Sequence, residues 1–249
     1  MQNKFCTPNA LVKRMTDVPV ELEKNSIKVL DHTQNHIHVG FSVPHRVISS
    51  AVLNGGIVQA DHIVNLQVPK CLTAPELPQL TLSKYCDDAD WKGITVGLMT
   101  AASMDSFRMT KETIQGIDIV VLVTSGLSNA RCAGDRAEHR IMAAQAEKIG
   151  TINIIVITSA ILTEAAMVES LLIVTEAKSA ALQEAGIRSP VSNKIATGTG
   201  TDSVAVASGH GPATVHYCGK HVLFGEILGR MVINTVSLSI EWDLKNRLT

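Results

Sequence analysis

The stretch TINIIVITSA, residues 151–160, constrains the fold of this chain more than any other. Its apolar, mostly β-branched residues run almost without alternation, the pattern of a strand covered on both faces. ITVGLMTAA (94–102) and IDIVVLVTSGL (117–127) share that character and read as central strands. Strands of this kind need other layers on both sides, which requires a layered architecture. In the N-terminal third, IKVLDHT (27–33) and HIHVGFS (36–42) read as a hairpin. RVISSAVL (46–53) extends it to a break at Asn54-Gly55-Gly56, and HIVNLQV (62–68) follows as a further antiparallel run.

Helical signals surround these strands. LSKYCDDADW (82–91) reads as a short helix, and AEHRIMAAQAEKIG (137–150) as another ending at Gly150. The clearest helix starts at a Thr163 cap, carries Glu164 in its first turn and stops at Gly186. Ala165, Val168, Leu171, Leu172, Thr175, Ser179 and Leu182 follow helical spacing along it. A second long amphipathic helix spans Gly225 to Asn246. Strands alternate with helices only in the second half. The expected fold is therefore α/β or α+β: a layered mixed sheet with long helices packed on it and antiparallel strands in the N-terminal third.

The 249 residues suit a single domain, with residues 1–25 as a lead-in arm. A hydrophobic content of 45% against 18% charged residues excludes disorder, and a net charge of -1 gives a polyanion nothing to grip, so no nucleic-acid partner is expected. Eight aromatic residues among Phe, Tyr and Trp are too few to build base-stacking platforms. The five cysteines, Cys6, Cys71, Cys86, Cys132 and Cys218, show no paired spacing and read as reduced thiols of a cytoplasmic protein. The apolar run at 151–161 is too short to cross a bilayer, and no membrane insertion is expected.

Several polar stretches carry candidate chemistry. KIATGTGTDSVAVA (194–207) alternates Thr197, Thr199 and Thr201 with Gly198 and Gly200 and closes on Asp202. Three readings fit it: a phosphate loop, an attacking hydroxyl beside Asp202, or a polar bend before a strand. The first lacks the P-loop lysine and precedes a strand instead of a helix. TSGLSNARCAGD (124–135) follows a buried strand. There Asn129 could donate to an oxyanion, Arg131 could bind an anionic group and Asp135 could accept a proton; equally, Ser128 or Asp135 could cap a helix and Arg131 pair with Asp135. Cys132 reads as a small filler. His32, His36 and His38 share strand parity and, with His210, His216 and His221, raise a metal reading that no ligand spacing supports, so no metal is assigned. Glu176 and Lys178 in TEAKSAAL suit either acid-base work or a solvated helix face.

In this order SVPHRVISSAVLNGG, GLMTAASM, VLVTSGLSNARCAGD, the segment 150–187 with its TEAK helix, ATGTGTDS and YCGKHVLFGEILG resemble the adenosylcobinamide amidohydrolase family, from about Phe41 to Ile240. The resemblance implies hydrolysis of the amide between the corrin propionyl side chain and aminopropanol, yielding adenosylcobyric acid for cobamide salvage. The corrinoid cobalt then belongs to the substrate, and no cofactor is implied. The matching positions are Asn54, Gly55, Gly56, Ser125, Gly126, Asn129, Arg131, Gly134, Asp135, Glu176, Lys178, Thr197 through Asp202, Gly225 and Glu226. Chemistry distributes their roles. Asp202 or Glu176 activates water, the favoured nucleophile, or a hydroxyl of Thr199 or Thr201, and Asn129 receives the oxyanion. Asn54, Gly55, Ser125, Arg131, Asp135, Thr197, Gly198, Gly200 and Glu226 contact the substrate. A non-catalytic corrinoid carrier and a nucleotide-dependent transferase remain alternatives, and the aliphatic C-terminal helix leaves a face for another copy of the chain.

Overall fold

The computed structural model describes residues 26–69, 77–137 and 150–246. The helix expected at 137–150 falls almost wholly outside these residues, as do Cys6 and Cys71. In chain order the elements are β1 (Ile27–His32), β2 (His36–Ser49), β3 (Gly56–Gln67), α1 (Pro78–Asp88), β4 (Thr95–Thr100), β5 (Arg108–Ile114), β6 (Ile117–Ser125), β7 (Ala130–Arg131), β8 (Ile152–Thr158), β9 (Ile161–Leu162), α2 (Glu164–Glu184), β10 (Gly198–Thr199), β11 (Ser203–Ser208), β12 (Thr214–Val215) and α3 (Leu223–Asn246). A mixed α/β fold results, as the strand and helix patterns require.

The main sheet runs β4-β3-β2-β11-β8-β6-β5, with β1 added beside β2. Within this sheet β3–β4 and β8–β11 pair in parallel and the other pairs are antiparallel. β2 is long enough to serve both halves of the sheet: residues 37–41 pair with β1 and residues 46–49 with β11, while its register against β3 shifts between Gly40 and His45. Such a shift bends a strand. The sheet accordingly folds over itself. Residues 120, 122, 155, 157, 205 and 207 turn inward to share a core with Ile37, Val39, Val47, Ile63, Val96 and Leu98 from the opposite half. Their neighbours Ile119, Val121, Val123, Ile154, Val156, Val204 and Val206 turn outward against α2 and α3. This double coverage is why TINIIVITSA shows no alternation: each face of β8 has its own core.

β4 differs from its expected central place. It lies at one end of the sheet, and its burial comes from the fold-over on one side and from α1, whose Leu82 and Cys86 pack on Val64 and Leu66, on the other. In α2, Thr163 is the N-cap, its Oγ1 accepting from Ala166 N. The buried face, however, is Ala166, Met167, Ser170, Ile173, Val174, Ala177, Lys178, Ala181 and Leu182. Val168 and Leu172, expected on that face, are exposed. Apolar residues occur all round this helix, so spacing alone does not single out the stripe that meets the sheet. α3 is long and apolar enough to cross a bilayer by composition, yet Phe224, Ile227, Leu228, Met231, Val232, Val236 and Ile240 pack into the outer core.

The assignment of the α2 face has a direct check. Met167 is fully buried and Leu172 is 58% exposed. Met167→Ala is expected to destabilise the protein by about 2–5 kcal/mol, and Leu172→Ala by no more than about 0.5 kcal/mol. Urea unfolding of the two variants measures both; equal losses would mean that the helix is rotated.

Candidate active site

Asp202 stands directly before β11, and four donors converge on its carboxylate. Oδ1 accepts from Ile152 N at 2.9 Å and Thr199 Oγ1 at 2.5 Å; Oδ2 accepts from Thr199 N at 3.0 Å and from the Lys178 ammonium. Both side chains of the ion pair are only 9% exposed. A carboxylate offers about four lone-pair positions, so Asp202 is saturated by the protein itself. Lys178 reaches it from the buried face of α2, so the charges taken out of water compensate each other.

The glycines of the Thr-Gly run exist for this arrangement. A Cβ on Gly198 would collide with Asp202 Oδ2 and lie 2.8 Å from Lys178 Nζ; one on Gly200 would come within 3.2 Å of Asn129 Nδ2. Gly150 is held to the same standard, since a Cβ there would collide with Asn129 Oδ1. The Asn129 carboxamide is therefore seated between Gly150 and Gly200. The anion gripped by the Thr-Gly run is Asp202, so a phosphate there would meet a carboxylate instead of free amides. β11 follows the run in place of a helix, and the phosphate-loop reading fails on both counts.

The hydroxyls and loops interlock around this centre. Thr199 Oγ1 also lies 2.8 Å from Gly150 O, and Thr201 Oγ1 donates to Gly150 O at 2.9 Å and sits 2.7 Å from Thr151 Oγ1. β7 and β10 pair with Gly198 opposite Arg131 and Thr199 opposite Ala130, which joins the 124–135 loop to the Thr-Gly run. Thr197 strengthens that junction: its N donates to Arg131 O and its Oγ1 accepts from Ala133 N. Asp135 caps the loop, accepting from Cys132 N and from Ser189 Oγ. Hydrogen bonds from Ser189, Ser192 and Cys132 N hold its carboxyl down at about 2, and the nearby Arg131 charge adds to them. It is thus an anion that organises the loop and is poorly suited to accept a proton at neutral pH.

Other expected site residues are drawn elsewhere. Ser125 is buried, its Oγ 2.8 Å from Ser239 Oγ, and fastens α3 to β6. Asn54, at positive φ, donates through Nδ2 to Thr95 O, and Gly55 allows close approach to Ala51 O; both shape the turn between β2 and β3. Glu176 lies two residues from Lys178, which turns it about 200° around the helix. It pairs with Lys220 in a groove of about 480 Å³ between α2 and α3 that also includes Gly225 and Glu226. Glu176 and Glu226 therefore do not join Asp202. Of the two charged residues in the TEAK segment, Lys178 is the one that stands beside Asp202.

Asn65 and Asn153 escaped sequence analysis. Both are 1% exposed. The available signal was a lone asparagine inside each apolar run, HIVNLQV and TINIIVITSA, because a buried carboxamide must be hydrogen-bonded to be tolerated. The histidines divide differently: His32 ends β1 and His36 begins β2, so the turn breaks their parity. His38 stacks on Trp91, and its Nε2 lies 3.1 Å from His62 Nδ1. Among the described residues no group of three or more metal-binding side chains converges.

The centre thus gathers a buried carboxylate that holds a hydroxyl, an adjacent ammonium and a carboxamide seated between glycines. The family model for adenosylcobinamide amidohydrolase matches residues 20–247, and the chain belongs to that family. A Methanosarcina mazei protein named adenosylcobinamide amidohydrolase is 30% identical over 201 residues, 77% of this chain and 88% of its own length. An uncharacterised Methanocaldococcus jannaschii protein is 37% identical over 153 residues, 56% of this chain and 60% of its own. Among solved structures, a Pyrococcus horikoshii OT3 protein aligns with 85% of this chain and 78% of its own at 10% identity and a TM-score of 0.40.

Two expectations follow from this geometry. Lys178→Met strands the Asp202 charge and is expected to cost about 3–5 kcal/mol of stability, with part recovered in the Lys178→Met/Asp202→Asn double variant. Denaturant titration of the four proteins measures the coupling, and additive losses would deny the pair. For His38, burial first, then the charges of His62 and His36, push the pKa from 6.5 down to about 3. The folded protein keeps His38 neutral where the unfolded chain takes up a proton, so stability falls as pH drops from about 6.5 toward 3, by up to about 1.4 kcal/mol per pH unit. His38→Leu should flatten that slope in unfolding midpoints measured across the window.

Proposed function

We propose that this protein hydrolyses the amide joining the corrin propionyl side chain to aminopropanol in adenosylcobinamide, releasing adenosylcobyric acid and aminopropanol. Family membership supports the substrate class, and the observation that carries the chemistry is the Thr199 hydroxyl held 2.5 Å from the Asp202 carboxylate. With every acceptor position of Asp202 occupied, the hydroxyl it holds is the group it activates. This favours Thr199 over a water as nucleophile.

In the proposed reaction Thr199 Oγ bonds to the amide carbon as its proton passes to Asp202 Oδ1. The Asn129 carboxamide donates to the tetrahedral oxyanion. The C–N bond then breaks, Lys178 Nζ gives the departing nitrogen its proton, and Asp202 restores the ammonium. Water attacks the threonyl ester, frees the carboxylic acid and returns a proton to Thr199. The cobalt stays in the substrate throughout, and no step uses a cofactor.

Incubation with adenosylcobinamide and mass-spectrometric detection of both products tests the reading. Binding without aminopropanol release would make the protein a corrinoid carrier. Thr199→Val is expected to lower kcat by about a thousandfold or more, while Thr201→Val retains substantial turnover. Retained activity in Thr199→Val would return the nucleophile to water.

A further inference from the structure

Beyond Asp202 lies a hydrogen-bonded asparagine pair that spans the two halves of the folded sheet. Asn153 uses its whole carboxamide: Nδ2 donates to Asn65 Oδ1 at 2.7 Å and to Met99 O at 2.8 Å, and Oδ1 accepts from Ser203 N at 3.2 Å. Asn65 Nδ2 in turn donates to Thr124 Oγ1 at 2.8 Å. One carboxamide on β8 thereby touches β3, β4 and the first residue of β11, and reaches β6 through Asn65.

The neighbours in sequence connect this pair to the site. Ile152, immediately before Asn153, donates its N–H to Asp202 Oδ1, and Ser203, whose N–H Asn153 receives, immediately follows Asp202. Asp202 is thus bracketed by two backbone segments, both fixed by the same side chain. Ser203 is held again by Ser50, whose Oγ lies 3.2 Å from Ser203 Oγ and accepts from Val204 N at 3.1 Å. An apolar residue at position 153 would satisfy the interior equally well by volume but would leave Asn65 Oδ1, Met99 O and Ser203 N without these partners inside the fold, each a costly omission.

We propose that Asn153 is a positioning residue: its carboxamide fixes the start of β11 and the start of β8 against the opposite half of the sheet, and so sets where the Asp202 carboxylate stands relative to Thr199. The link to turnover rests on the amide hydrolysis proposed above. The placement of Asp202 does not.

Asn153→Ser and Asn65→Ala test the proposal in the full chain, assayed well below their unfolding temperatures. The expected result is a fall in kcat of about tenfold to a hundredfold with KM changed little, because a displacement of about 1 Å at a reacting group suffices for such a loss. In the Asn153→Ser background, Asp202→Asn should cost much less than in the wild type, since both changes spoil one arrangement. Amide hydrogen exchange supplies a readout independent of turnover: in both variants Ile152 N–H should lose far more protection than Ile155 or Val156 of the same strand. Unchanged kcat with a merely lowered unfolding temperature, or uniform loss of protection along β8, would overturn the proposal. A wild-type protein that releases no aminopropanol would overturn the hydrolytic reading alone, leaving the exchange pattern to decide the role of Asn153.

Discussion

The buried charge pair between Lys178 and Asp202 is the interaction on which the rest of the site depends. An isolated carboxylate at this depth would be costly to bury, whereas three hydrogen-bond donors and the Lys178 ammonium fill its acceptor positions. The pairing recruits α2, the Thr-Gly run and the first residue of β8 to one point. It also explains local sequence. Gly198 is required because the pair occupies the space of a side chain, and a Cβ at Gly200 would crowd Asn129.

The outer loops inherit their form from that centre. β7 and β10 make a two-residue ladder, Thr197 ties its end to Ala133, and Asp135 closes the loop through Cys132 and Ser189. Acidic groups that look equivalent in sequence thus have different duties. Asp202 holds a hydroxyl, Asp135 is spent on a loop, and Glu176 faces a groove on the far side of α2.

Periodicity made the strand-rich architecture legible, because β6 and β8 are apolar on both faces and β1 and β2 are separated by a short polar turn. It could not reveal that the sheet doubles back. That depends on the register shift in β2 between Gly40 and His45, a long-range pairing with β3 that leaves no local pattern. The same limit explains the misplaced stripe on α2 and the central place given to β4. At the site, the Thr-Gly run and Asn129 were legible from composition and from family resemblance. Lys178 was visible only as one half of an ambiguous pair with Glu176, since choosing between them requires the rotation of the helix. Asn65 and Asn153 were hidden because a single polar residue in an apolar run acquires meaning only when its partner, distant in sequence, is known.

The position of β11 has a consequence for how the molecule is made. This strand lies between β2 and β8, so residues 203–208 join the first half of the sheet to the second. On a ribosome both halves emerge first, and the strand that links them is the last of the main sheet to appear. Contacts of such long sequence separation form slowly, since loop closure must precede their reward. Closure of the sheet and assembly of the Asp202 centre are consequently the same late event: the chain has no finished site until its architecture is finished.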